Sequence, residues 1–204
     1  MNYDSARSAP AKGTVRTLSQ SELPLLRDHL LRLDRTSRYD RFHGFMDDGF
    51  IKRYAEKCAS DGTVIIAYFD NGTVRGAAEL HPPEQSPDGE PEIAFSVERS
   101  ARRKGVGSVL FRKLIAEAQA RGYRSLRITT GAQNEAMRTL ASKFGAKLTF
   151  RHGESTGSID LARHGQPEPV PAAVAPLEAA RAIANLNRAY WQMVFKMYGW
   201  GRAA

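Results

Sequence analysis

Two rhythms of apolar residues alternate along this chain. In "SELPLLRDHLLRL" (21–33) leucines recur at helical spacing behind a capping Ser, which predicts a helix, and "MDDGFIKRYAEKCA" (46–59) predicts a second. Shorter runs rich in β-formers predict strands: "GTVRTLS" (13–19), "TVIIAYF" (63–69), "TVRGAAEL" (73–80), "EIAFSV" (92–97) and "SLRITT" (125–130). Asp70-Asn71-Gly72 joins the second and third of these, and Asn-Gly between apolar runs predicts a tight hairpin. "HPPEQSPDGEP" (81–91) reads as a loop from its Pro and Gly content. Residues 105–121 predict a helix with Val106, Val109, Leu110, Leu114 and Ile115 on one side. "NEAMRTLASKF" (134–144) predicts another, closed by Gly145, and "AKLTFRH" and "STGSIDLAR" predict a final antiparallel pair.

The order is strand, two helices, three strands, helix, strand, helix, two strands, which predicts a mixed α/β sheet with hairpins and crossovers, flanked by helices. Residues 1–12 read as a flexible N-terminus, 13–163 as the folded domain, and 164–176 as a Pro/Ala linker. Residues 177–204 hold a C-terminal amphipathic helix. Arg181, Asn185, Arg188, Gln192 and Lys196 form its polar stripe; Ile183, Leu186, Tyr190, Met193, Met197 and Trp200 form its apolar one. That face needs cover. Docking on its own domain, a homodimer contact through 177–200, a partner helix and a membrane surface all fit the pattern, while the charges argue against a membrane span.

Composition narrows the class. With 204 residues, 42% hydrophobic and 25% charged, the chain sustains a packed core, and no apolar run reaches bilayer length. No charged-then-apolar start marks a signal peptide. One cysteine, Cys58, excludes an intramolecular disulfide and a cysteine-rich zinc site, so the expectation is a cytoplasmic protein without a metal. Within its helix Cys58 reads as a small hydrophobe rather than a nucleophile. The net charge is +8 and the pI about 9.8, which suits an anionic ligand. "RLDRTSRYDR" is one basic cluster, diluted by Asp34 and Asp40; Arg102-Arg103-Lys104 is the other. No basic helix, aromatic RNA-binding signature or finger spacing accompanies them, which argues against nucleic acid.

The second cluster runs straight into Gly105-Val106-Gly107 at the mouth of a helix. First-turn amides have no partner inside a helix, and the helix dipole adds partial positive charge, so such a mouth holds phosphate well. Glycines let the backbone come close and take positive φ. A Walker A loop is absent, and the third glycine of a dinucleotide fingerprint is replaced by Leu110.

"RRKGVG" resembles the Arg/Gln-x-x-Gly-x-Gly/Ala loop of the GNAT acyltransferase superfamily, in which loop amides bind the pyrophosphate of acetyl-CoA. "EIAFSV" resembles the family's fourth strand, whose splayed backbone pairs with pantetheine. "NEAMRTLASKFGAKL" resembles its Asn-led helix ending in Gly. The resemblance covers roughly residues 13–163 and implies a GNAT-like mixed sheet that binds acetyl-CoA as acyl donor. The contacts it implies are Phe95, Ser96, Val97, Arg102, Arg103, Lys104, Gly105, Val106, Gly107, Ser108 and Asn134. A shorter stretch, "SRYDRFHG" (37–44), resembles the acetyltransferase domains of some bacterial protein-lysine acetyltransferases.

The implied reaction is direct attack of a primary amine, from a protein lysine or a small molecule, on the thioester. An alkylammonium titrates at about 10.4, and a positioned carboxylate, directly or through water, can take its proton. Strand alternation puts Glu92 beside Ala94 and Ser96, and some family members carry a glutamate there as general base. Glu79 is the second candidate, with Arg75 as its expected partner, and His81 reads as a loop residue. The family's usual general acid, a Tyr seven residues after the Asn, is Ala141 here, and the neighbouring Ser142 is too weak an acid to replace it. That departure keeps an alternative open: a GNAT fold that binds acyl-CoA as a sensor or scaffold without turnover.

Overall fold

The computed structural model describes residues 13–86, 89–151 and 153–164. The N-terminal arm, nearly all of the linker and the C-terminal helix expected from the sequence lie outside the described residues. Within the described residues seven strands form one sheet: β1 (Thr14–Thr17), β2 (Val64–Asp70), β3 (Thr73–His81), β4 (Glu92–Val97), β5 (Ser125–Gly131), β6 (Lys147–Arg151) and β7 (Glu154–Asp160). Their order is β1-β2-β3-β4-β5-β7-β6. Every neighbouring pair is antiparallel except β4–β5. Asn71 and Gly72 both take positive φ (49° and 73°), the geometry a two-residue hairpin of matching twist requires.

Five α-helices of the described residues flank the sheet: α1 (Leu23–Arg32), α2 (Arg35–Phe42), α3 (Asp48–Ser60), α4 (Val106–Ala120) and α5 (Glu135–Lys143). α4 and α5 cover one face. Leu110, Phe111 and Leu114 pack there on Ile66, Leu80, Ile93 and Ile128, with Ala141 and Phe144 alongside. α1 and α3 cover the other face, where Leu26, Leu30, Ile51 and Tyr54 meet Ile65, Ala67 and Ala77. The long side chains of both clusters are almost fully dehydrated, so each contributes about 1.5–3 kcal/mol of burial.

Three expectations change. α2 has no apolar stripe ("RTSRYDRF", with only Ser37 buried), so periodicity misses it. Its ends carry the signal instead. Asp34 caps it by accepting from the Ser37 amide (3.0 Å) and hydroxyl (2.6 Å), and His43 closes it in the left-handed region. On α4 the buried stripe includes Phe111, while Val109 is only half-buried. Phe111 is held between Phe95 and Phe144 with ring centroids 4.8 and 4.3 Å away. Finally, His81 ends β3 rather than lying in a loop.

Candidate active site

β4 and β5 are the one parallel pair among the described strands, and they pair only at Glu92–Arg127 and Ile93–Ile128. Beyond those positions β5 stays with β7 and β4 with β3, so the sheet opens between them. The opening forms the base of a cleft of about 450 Å³, within the range of small-molecule sites. Phe95, Ser96 and Val97 line its β4 side, and Gly105, Val106, Gly107 and Ser108 its α4 side. Asn134, Met137 and Leu140 form the α5 wall. Leu33, Ser37, Asp40 and Arg41 close it from α1 and α2.

The glycine turn behaves as an anion cradle should. Arg103 (φ 60°) and Gly105 (φ 80°) both take the left-handed conformation that turns successive backbone amides to one side. Gly105 is the N-cap of α4 and supplies no side chain, so the first-turn amides keep their donors. A Cβ at Gly105 would meet nothing within 4 Å, so open space lies in front of the turn. Gly107 serves packing instead. A Cβ there would stand 3.0 Å from Leu140, so its absence lets α4 and α5 approach.

The basic triplet divides. Arg103 and Lys104 are exposed and make no ion pair or hydrogen bond among the described residues. Arg102 lines the cleft, but its guanidinium is committed. It donates to the Val97 carbonyl (2.9 Å) and the Ser37 hydroxyl (2.7 Å), tying the end of β4 to α2. Asn134 caps α5, its Oδ1 accepting from the Met137 amide at 3.1 Å, and lines the cleft as well. The implied CoA contacts that line this cavity are Phe95, Ser96, Val97, Arg102, Arg103, Gly105, Val106, Gly107, Ser108 and Asn134; Lys104 stands beside it.

The carboxylates sort differently from their sequence order. Glu79 is fully buried and does not line the cleft. Its partner is Arg41, not Arg75: Arg41 Nη2 lies 2.6 Å from Oε2 and Nε 3.2 Å from Oε1. The Tyr54 hydroxyl donates to the same carboxylate, and His81 Nε2 lies 3.6 Å away. Burial pushes Glu79 up, but the Arg41 charge and the contacts with His81 and Arg41 outweigh it and hold the group down at about 2. A carboxylate so enclosed is poorly placed to serve as a base. Arg75 instead pairs with Glu98 at 2.8 Å. Burial pushes the Cys58 thiol up, which fits its reading as a hydrophobe.

Glu92 is half-buried and makes no hydrogen bond or ion pair among the described residues. It shares a strand face with Ser96, roughly 13 Å along β4, and lies outside the cleft wall. Asp40 is the carboxylate that sequence reasoning missed. It lines the cleft from α2 and accepts no hydrogen bond from the described residues. Burial raises its pKa, with Arg102 opposing. In the sequence it only diluted a basic run, and nothing short of placing α2 finds it. Ala141 is fully buried in the core, so no hydroxyl stands at the family's usual acid position.

The described strands thus form an open mixed α/β sheet, split where its one parallel pair parts and faced by a helix N-terminus without a side-chain cap. Residues 27–146 match the Acetyltransferase (GNAT) family, and the chain belongs to that family. Solved structures share the fold. The GNAT domain of S. lividans PAT superposes with a TM-score of 0.61 at 21% identity, covering 72% of this chain and 90% of that one. An N-acetyltransferase from Staphylococcus aureus Mu50 gives 0.55 at 24%, covering 74% and 99%. The paia N-acetyltransferase from Thermoplasma acidophilum, solved in complex with coenzyme A, gives 0.54 at 16%, covering 73% and 99%. Among the described residues no group of His, Cys, Asp and Glu could hold a metal, and no helix is long and apolar enough to cross a membrane.

Proposed function

We propose that the protein is an acetyl-CoA-dependent N-acetyltransferase that moves the acetyl group to a primary amine by direct attack. The observation that carries this reading is the uncapped mouth of α4 opening onto the β4–β5 split. The amides of residues 105–108, with Arg103 and Lys104, take the diphosphate, and the free edge of β4 at Phe95–Val97 takes the pantetheine arm. Backbone donors there also suit the oxyanion that develops on the thioester carbonyl. A carboxylate removes the ammonium proton: Glu92 through water, or Asp40 from the cleft wall. The acceptor class is a protein lysine or a small-molecule amine; what supports lysine is the resemblance carried by "SRYDRFHG", which runs from Ser37 in α2 to Gly44 just past its cap. Buried, unpaired Cys58 supports a reducing cytoplasmic setting.

The buried Ala141 favours one competing reading, a sensor that binds acyl-CoA without turnover. Thermal unfolding with acetyl-CoA, beside Gly105→Glu, tests the shared part. At 100 times its Kd the ligand adds about 2.7 kcal/mol, a rise of roughly 5–10 °C for a domain of this size, and the folded variant shows none. CoA release with an amine panel then separates enzyme from sensor. Loss of release in Glu92→Gln, in Asp40→Asn, or in both identifies the base.

A further inference from the structure

Behind the β4 wall of the cleft lies a hydrogen-bonded chain that the binding of acetyl-CoA does not require. Ser96 Oγ is 2.9 Å from His29 Nε2, and His29 Nδ1 is 3.2 Å from Glu98 Oε1. His29 is wholly inaccessible to solvent, and of the three only Ser96 lines the cleft. Glu98 is fixed in turn by Arg32 Nε (3.0 Å) and Arg75 Nη1 (2.8 Å).

The chemistry of the partners sets the direction of this chain. An ionised carboxylate only accepts hydrogen bonds, so Nδ1 of His29 carries the proton that faces Glu98. In the neutral ring Nε2 is then the acceptor, and the Ser96 hydroxyl donates to it. This is the order of groups in a serine hydrolase triad, reached here on a different fold.

We infer that Ser96, backed by His29 and Glu98, carries the proton that the attacking nitrogen gives up across to the sulfur that leaves. The inference rests on the acetyltransferase reading. After attack the new C–N bond leaves an extra proton on nitrogen. Ser96 Oγ takes that proton while its own passes to His29 Nε2, and Glu98 balances the imidazolium. As the C–S bond breaks, its electron pair goes to sulfur; His29 returns a proton to Ser96, and Ser96 gives one to the thiolate. Amine and thioester become amide and thiol, and the protein ends as it began. Nitrogen and sulfur sit on the same tetrahedral carbon, so one hydroxyl can serve both. The chain thereby supplies the proton that a tyrosine at position 141 would have given. Ser96 is the catalytic residue of the three; His29 and Glu98 are positioning residues.

Two measurements on the full chain test this. The first needs no acetyl-CoA: nitrogen NMR of the His29 ring in the free protein shows Nδ1 protonated and Nε2 bare. A proton on Nε2 of the neutral ring overturns the inference. The second compares Ser96→Ala with Ser96→Thr. The Ala variant folds and keeps its KM for acetyl-CoA, with a melting temperature a few degrees lower because His29 Nε2 loses its buried partner, while kcat falls on the order of 10²-fold. The Thr variant, which keeps a hydroxyl, recovers most of kcat. Wild-type kcat in Ser96→Ala refutes the relay even if acetyl-CoA binds as proposed. A wild-type protein that binds acetyl-CoA but releases no CoA with any amine overturns the parent reading and this role together.

Discussion

Replacing Arg41 with Leu removes the partner of a carboxylate that no water reaches. Glu79 is fully buried, and Arg41 gives it both of its guanidinium contacts. Removing one member of such a pair costs about 3–5 kcal/mol, because the other is left charged and dry. The shift of Glu79 gives a second route to the size. A carboxyl held at about 2 in the folded protein against 4.5 in the reference state is worth about 3 kcal/mol at neutral pH. For a domain of this length that is a fall in Tm of roughly 6–12 °C. The sign of the pH dependence follows from the depressed value: the stabilisation is complete above the unfolded pKa and is lost as pH falls from about 4.5 toward 2. The gap between wild type and Arg41→Leu therefore closes in acid, where Glu79 is neutral in the variant. Adding Glu79→Leu to Arg41→Leu recovers much of the loss, since two apolar side chains leave no buried charge. Calorimetric scans from pH 3 to pH 7 measure all of this. A variant within about 1 kcal/mol of wild type at pH 7, or a gap that does not narrow in acid, refutes a dry ion pair at this place.

Three further outcomes follow from local geometry. Gly105→Ala costs about 1–2 kcal/mol from its positive φ alone, since nothing crowds the new methyl, whereas Gly107→Ala stays within about 1 kcal/mol because the tip of Leu140 can yield; urea titration of both variants separates the two glycines. Asn134→Asp keeps the cap of α5 and the wild-type Tm but weakens acetyl-CoA binding in titration calorimetry, because a carboxylate replaces an amide beside an anionic ligand. Asp34→Ala loses about 1 kcal/mol with the cap of α2, and hydrogen exchange shows the increase in opening confined to residues 35–42.

Local chemistry set most of the elements, and the sequence determined them by itself. Asn71-Gly72 required its hairpin because two residues in succession must take positive φ, and β4 runs from Glu92 to Val97 as its apolar run indicated. The glycine turn with its basic flank was legible for the same reason: free amides, a dipole and left-handed backbone are properties of a few consecutive residues. What the sequence left open depended on contacts between distant ones. α2 has no apolar stripe of its own, so its caps and distant partners hold it, Arg41 on Glu79 and Phe42 against Phe50 and Tyr54 among them, and with it came Asp40. Arg102 read as a phosphate ligand, yet a carbonyl at residue 97 and a hydroxyl at residue 37 take its guanidinium. Glu79 read as a partner for Arg75 because the two share a strand face; tertiary packing gave Glu79 to Arg41 and Arg75 to Glu98. The chain from Ser96 through His29 to Glu98 joins residues nearly 70 positions apart, at separations that no spacing rule contains. Burial made that decision: a histidine closed off from water must find its partners within the protein.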